Sequence, residues 1–175
     1  MTDLAIRVLD DGTLDLSVCC NDLETTEGLE SAVVISLFTD ARVPDDYALP
    51  DGAYRGGSWM DSFPDIDGDE MGSLLWLLTR AKQTTGNLQD AERYATKALQ
   101  WMLDDGVAKQ ATIAASYPLD GVLGLAIAVT DKRGRVLRFS YGLDQSGSLC
   151  KCPPLWPYEP TIPGGSVNPD FIVGT

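Results

Sequence analysis

"LGLAIAVTDKRGRVLRFSYGL", Leu123 to Leu143, is where the fold is decided. Leu125, Ile127 and Val129 fall at every second position. Lys132, Arg133 and Gly134 supply a turn, and Val136, Phe139 and Tyr141 carry the apolar return. A period of two with Gly between the runs predicts an antiparallel hairpin with one buried face. "LAIRVLDDGTLDLSV", Leu4 to Val18, has the same form: Leu4, Ile6 and Val8, then Asp10-Asp11-Gly12, then Leu14, Leu16 and Val18. It predicts a second hairpin, also with its apolar face buried.

The segments between the hairpins read as helices. "TTEGLESAVVISLFTD" offers Thr25 or Thr26 as a cap, Glu27 and Glu30 as early acids, and Leu29, Val33, Ile35, Leu37 and Phe38 as apolar content, with Pro44 as the stop. "SLLWLLTRAK" reads as a short apolar helix capped by Ser73. A longer helix follows "TTGN", capped by Asn87 or Thr85, with Leu88, Ala91, Tyr94 or Ala95, Ala98, Leu99 and Met102 along one stripe. Asp104, Asp105 and Gly106 end it, with Gly at the left-handed position that closes helices. "VAKQATIAASY" reads as a strand. Between the first two helices, Arg42 to Gly72 forms a long loop rich in Gly, Pro and Asp that also carries Tyr47, Tyr54, Trp59 and Phe63. Loops of that length are often functional. The expectation is therefore an α+β domain over residues 1–144: a small antiparallel sheet of two terminal hairpins plus one strand, packed against about three helices. Residues 145–175, with "PPLWPYEPTIPGG", are expected to form an extended Pro-rich arm.

Composition excludes whole classes of function. Asp and Glu number 26 against 13 Lys and Arg, for a net charge of −13, which repels nucleic acid and anionic membrane surfaces. With no His, the commonest general base and metal ligand is missing. No stretch approaches the roughly 20 apolar residues that span a bilayer, and "MTDLAIRV" has no signal-peptide character, so synthesis and assembly are expected in the cytoplasm. Cys19, Cys20, Cys150 and Cys152 have poor zinc spacing. They read as thiols in a reducing compartment, with a bridge between the pairs as the alternative.

"DSFPDIDGDEMG", Asp61 to Gly72, is the most acidic stretch. Counted as a calcium loop from Asp65, its Gly comes too early and its twelfth position is Trp76, not Glu. Acids before a helix start favour the positive end of its dipole, which explains them without a ligand. Paired carboxylates for sugar hydrolysis carry no signal, because 26 acids always offer a pair. Glu92 and Asp104 sit closest to apolar runs and fit an exposed helix face. "YRGGSW" lacks the Lys and the strand–helix setting of a phosphate loop. No cofactor, metal or small-molecule substrate is expected. Interface residues are better candidates. Trp59, Trp156 and Tyr158 lie in loop and tail, where no local core exists. Trp76 and Trp101 lie in apolar helical runs that can be core or contact. Lys132, Arg133, Arg135 and Arg138 form the basic cluster of an acidic chain, either a solvated tip or a contact for an acidic surface.

Three stretches in order carry a family resemblance: "AVVISLFTDARVPDDYALPDGAYRGGSW", "GSLLWLLTRAK" and "AERYATKALQWMLDDGVA". Over roughly Leu4 to Leu143 the chain resembles the small baseplate wedge protein of Mu-type contractile phages, a family similar to the gene-25-type wedge subunit or sheath initiator. The resemblance implies a non-enzymatic virion protein in six copies around the tail axis. Its implied partners are larger wedge proteins and the tail sheath, whose first ring would add strands to it. Strand exchange is expected on Leu4–Val18 and Leu125–Tyr141, and wedge contact on Ser73–Leu78, Leu88–Leu103 and the Trp59 loop; the resemblance does not fix which face meets which partner. A lysozyme-like label among relatives leaves a peptidoglycan-degrading tail hydrolase as the alternative. The tail and the cysteine pairs lie outside the resemblance, and docking of the tail on a neighbouring subunit is expected.

Overall fold

The alternation at Leu123–Leu143 produces the central hairpin of the sheet. The computed structural model describes residues 3–9, 12–19, 22–26, 29–49, 53–62, 70–79, 81–147 and 149–150. Strands β1 (Asp3–Leu4), β2 (Ile6–Val8), β3 (Leu14–Leu16), β4 (Val18–Cys19), β5 (Asp22–Leu23) and β6 (Thr25–Thr26) come first, then helix α1 (Glu30–Phe38). Single 3-10 turns follow at Trp59–Ser62 and Leu75–Leu78, then helix α2 (Thr85–Asp104). Strands β7 (Ala108–Leu119), β8 (Val122–Asp131), β9 (Val136–Asp144) and β10 (Leu149–Cys150) complete the order. The α+β class stands. Two α-helices, not about three, are present among the described residues, because "LLWLL" is apolar all round and closes as a 3-10 turn.

The main sheet has the order β10-β9-β8-β7, antiparallel throughout. Ile113, Ile127 and Phe139 lie opposite one another across three strands, as do Ala115, Leu125 and Tyr141. That face carries the core: Leu123, Leu125, Ile127 and Val129 from β8 meet Ala91, Ala95, Leu99 and Met102 from α2, with Val33, Val34 and Leu37 from α1. A fully buried Leu, Ile or Met contributes about 1.5–3 kcal/mol. The opposite face of β8 is small (Gly124, Ala126, Ala128), so the central strand is buried on both sides. Val136 was expected on the core face. It pairs with Thr130 on the other face and is 41% exposed, and Leu137, opposite Val129, takes the inward position.

Helix ends differ from expectation in detail. Thr25 and Thr26 belong to β6, and α1 starts after Leu29 with no side-chain cap. It ends at Phe38, six residues before Pro44. For α2 the cap is Thr84, whose hydroxyl accepts from Asn87 N at 3.3 Å. Gly106, at φ 61°, closes α2 as expected.

The N-terminal hairpin pairs as read, Ile6 with Leu16 and Val8 with Leu14, but it does not join the main sheet. Three short ladders, β1–β6, β2–β3 and β4–β5, meet at a junction. A ring of backbone bonds closes it: Ala5 N donates to Glu24 O, Glu24 N to Ser17 O, and Ser17 N to Ala5 O, each at 2.8 Å. The Ser31 hydroxyl, on α1, donates to Leu4 O and ties the module to the body.

Candidate assembly surfaces

Burial of the N-terminal apolar face was expected, and the structure contradicts it. Leu4, Leu14, Leu16 and Leu23 are exposed, and Val18 is 60% exposed. In the β2–β3 ladder the polar side is spent internally, on an Arg7–Asp15 ion pair at 3.7 Å. The Ser17 hydroxyl also donates to Glu24 Oε2 at 2.6 Å. A module this small has no core of its own to bury its apolar side. A cluster of exposed aliphatic residues of this kind is a candidate contact surface.

The long loop is a hydrogen-bonded platform. Ala41 N donates to Ser73 O at 2.9 Å, Ser73 N to Thr39 O at 2.9 Å, Val43 N to Arg55 O at 2.8 Å and Gly57 N to Asp40 O at 3.0 Å. The Ser73 hydroxyl, expected as a helix cap, donates to Leu37 O at 2.5 Å and accepts from Leu75 N at 3.2 Å. Asp61, first of the acidic stretch, accepts from Ser58 N at 2.9 Å and Met71 N at 3.0 Å, so it fastens the loop. Asp65, Asp67, Asp69 and Phe63 lie outside the described residues.

This framework sorts the aromatic candidates. Trp59 stands on the platform 76% exposed, near the exposed Tyr54 in sequence. Trp76 is half-buried: its indole N–H donates to Ala41 O at 3.1 Å and its ring lies 5.8 Å from that of Tyr54. Trp101 donates to the Ser36 hydroxyl at 3.0 Å, locking α2 to α1, and remains 38% exposed. Trp76 and Trp101 are thus structural pins with one visible edge. Trp156, Tyr158 and Cys152 lie outside the described residues, as do Cys20 and the Cys150 side chain, while Cys19 is exposed.

The basic cluster sits on the β8–β9 tip and is partly committed there. Asp131 is 8% exposed. Its Oδ1 accepts from Arg133 N at 2.8 Å and Arg135 N at 2.9 Å, and its Oδ2 pairs with Arg135 Nε at 2.8 Å. Lys132, Arg133 and Arg138 are exposed. The Arg135 side-chain bond, with backbone N–H donors, holds the Asp131 carboxyl below its usual range. A depressed carboxylate stabilises the fold above its unfolded pKa, roughly 4, and loses that contribution as pH falls through the lower folded value. Asp131→Asn is expected to lower the denaturant midpoint at pH 7, by an amount that shrinks as pH falls below about 4. A midpoint difference that is flat with pH would contradict this.

A cleft of about 670 Å³ lies between the N-terminal module, the platform and the end of the main sheet. Leu14, Phe38, Leu49, Tyr54, Trp76 and Leu149 line it, with Asp40. Burial pushes the Asp40 carboxyl up. Glycoside hydrolysis needs two carboxyls flanking one bond. Among the described residues Asp40 is the one acid on this cleft. No group of three or more His, Cys, Asp or Glu positioned to hold a metal occurs among the described residues. No described helix is long and apolar enough to cross a membrane.

Sequence reasoning assigned Glu92 to an exposed helix face. Its Oε1 instead accepts from Ala115 N on β7 at 3.0 Å. Strand exchange was expected on Leu125–Tyr141; β8 is paired on both sides there, while on the outer side of β9 the β10 ladder reaches only Gly142 and Leu143 among the described residues, beyond that span. Ladder order, which decides both points, has no local signal.

The model of the phage protein GP46 family matches residues 29–136. Mu-like prophage FluMu protein gp46 of Haemophilus influenzae is 43% identical over 129 residues, 74% of this chain and 87% of that one. Baseplate protein gp46 of Escherichia phage Mu is 39% identical over 142 residues, 81% of this chain and 95% of that one. A match of this extent, running from α1 through the β8–β9 tip, places the chain in the phage protein GP46 family.

Proposed function

We propose that the chain is a structural component of a contractile-tail baseplate in the wedge and sheath-initiator role, with six copies linking larger wedge proteins to the first sheath ring. The observation that carries this is the match to phage Mu baseplate protein gp46 across nearly its whole length. The exposed aliphatic side chains of the N-terminal module and the exposed Trp59 support a role exercised through contacts. The wedge contact falls on the platform, the 3-10 turn at Leu75–Leu78 and the outer face of α2, where Trp101 shows its edge. The tail beyond residue 150 docks on a neighbouring subunit.

Deleting the gene in an inducible prophage tests this reading. Particles are expected to carry tubes and baseplates without sheath, with contractile tails restored by a plasmid copy. Normal sheathed tails from the deletion would reject the initiator role.

A further inference from the structure

The pairing of β7 with β8 is regular only over residues 110–116, with register irregularities between Ala108 and Gln110 and between Ser116 and Leu119. Bulges of that kind protect sheet edges. Ala115 lies directly opposite Leu125, yet its N–H donates to Glu92 and therefore points away from β8. Alternation then turns the N–H groups of Ala111 and Ile113 to the same open side. Among the described residues the edge is thus about seven residues, or roughly 24 Å, of strand-ready backbone. A carboxylate from α2 sits on its best-placed donor.

The geometry points to β7 as a strand-accepting site that Glu92 holds closed in the free subunit. The occupant is an extended segment of a neighbouring tail protein carrying Lys or Arg opposite Ala115. Two observations select it. A displaced Glu92 needs a new cation, and the adjacent Arg93 is already paired with Asp90 at 2.7 Å. A second copy of this chain would bring another −13 to the edge, which opposes self-pairing. On the face away from the helices, Thr112, Ala114 and Ser116 are small and leave room for larger side chains on the incoming strand.

This site refines the baseplate reading and rests on it, so its test separates the two. In the free subunit, Glu92→Ala is expected to speed exchange of the Ala115 amide by about tenfold, the loss of one hydrogen bond. Glu92→Gln, whose amide oxygen still accepts, is expected to stay near the parent. No change in the Ala variant would overturn the latch. Exchange across residues 108–119 should slow by about a hundredfold in assembled particles relative to the free chain, as added ladder bonds protect the edge. Equal exchange in particles that contain the chain would overturn the site and leave the baseplate reading intact; particles without the chain would overturn both. Glu92→Ala should sediment as a monomer. A dimer would assign the edge to a second copy and overturn the partner proposed here.

Discussion

Gly72→Ala is expected to cost the fold about 3–5 kcal/mol, enough to unfold a marginal domain. Gly72 has φ 100°, where an L residue is strained. A Cβ there would lie 2.3 Å from Thr39 O, 2.9 Å from Thr39 C and 3.1 Å from Ala41 N. All three are backbone atoms, so none can rotate away. Thr39 O also accepts from Ser73 N, so moving it breaks the bond that holds the platform to the end of α1. Gly106→Ala is the control: its φ is 61° with nothing within 4 Å of the added methyl. It should cost about 1 kcal/mol, from backbone strain alone. Denaturant midpoints of the two variants separate strain from clash, and a Gly72→Ala cost as small as that of Gly106→Ala would contradict the close approach.

Leu16→Asp with Leu23→Asp is expected to leave the free subunit's stability within about 0.5 kcal/mol, as for other exposed positions. Incorporation into particles should fall at least about a hundredfold. Each leucine already buries part of its surface, so contact with a partner adds roughly 1 kcal/mol per side chain. The aspartates weigh more than the lost leucine contacts. A carboxylate stripped of water against an apolar partner surface costs several kcal/mol. Melting curves of the free chain and quantitative mass spectrometry of purified particles make the comparison. Normal incorporation with unchanged melting would mean that this module faces solvent in the particle.

Much of the body was legible in the residues. The stripe from Ala91 to Met102 and the alternation from Leu125 to Val129 predicted α2 and β8, because each element turns its large apolar side chains toward the core that the two share. The N-terminal module was half legible. Its pairing followed from Asp10-Asp11-Gly12, but the destination of its apolar side did not. A leucine that meets a partner and a leucine that meets the core leave the same pattern. Val136 and Leu137 are adjacent apolar residues beside the turn, and only the register with Val129 decides which of them faces inward. Thr84, Thr85 and Asn87 all carry capping side chains, so the choice rests on backbone geometry at Thr84. Glu92 looked like any solvated helix acid. Its role depends on β7 being an edge, which no local window contains.

Electron cryo-microscopy of the assembled tail tests the central claim most directly. The account predicts six copies between the wedge proteins and the first sheath ring, with Leu16, Val18 and Leu23 covered by a neighbouring subunit. Tails that lack this polypeptide, or that hold it with those three side chains facing solvent, would contradict it.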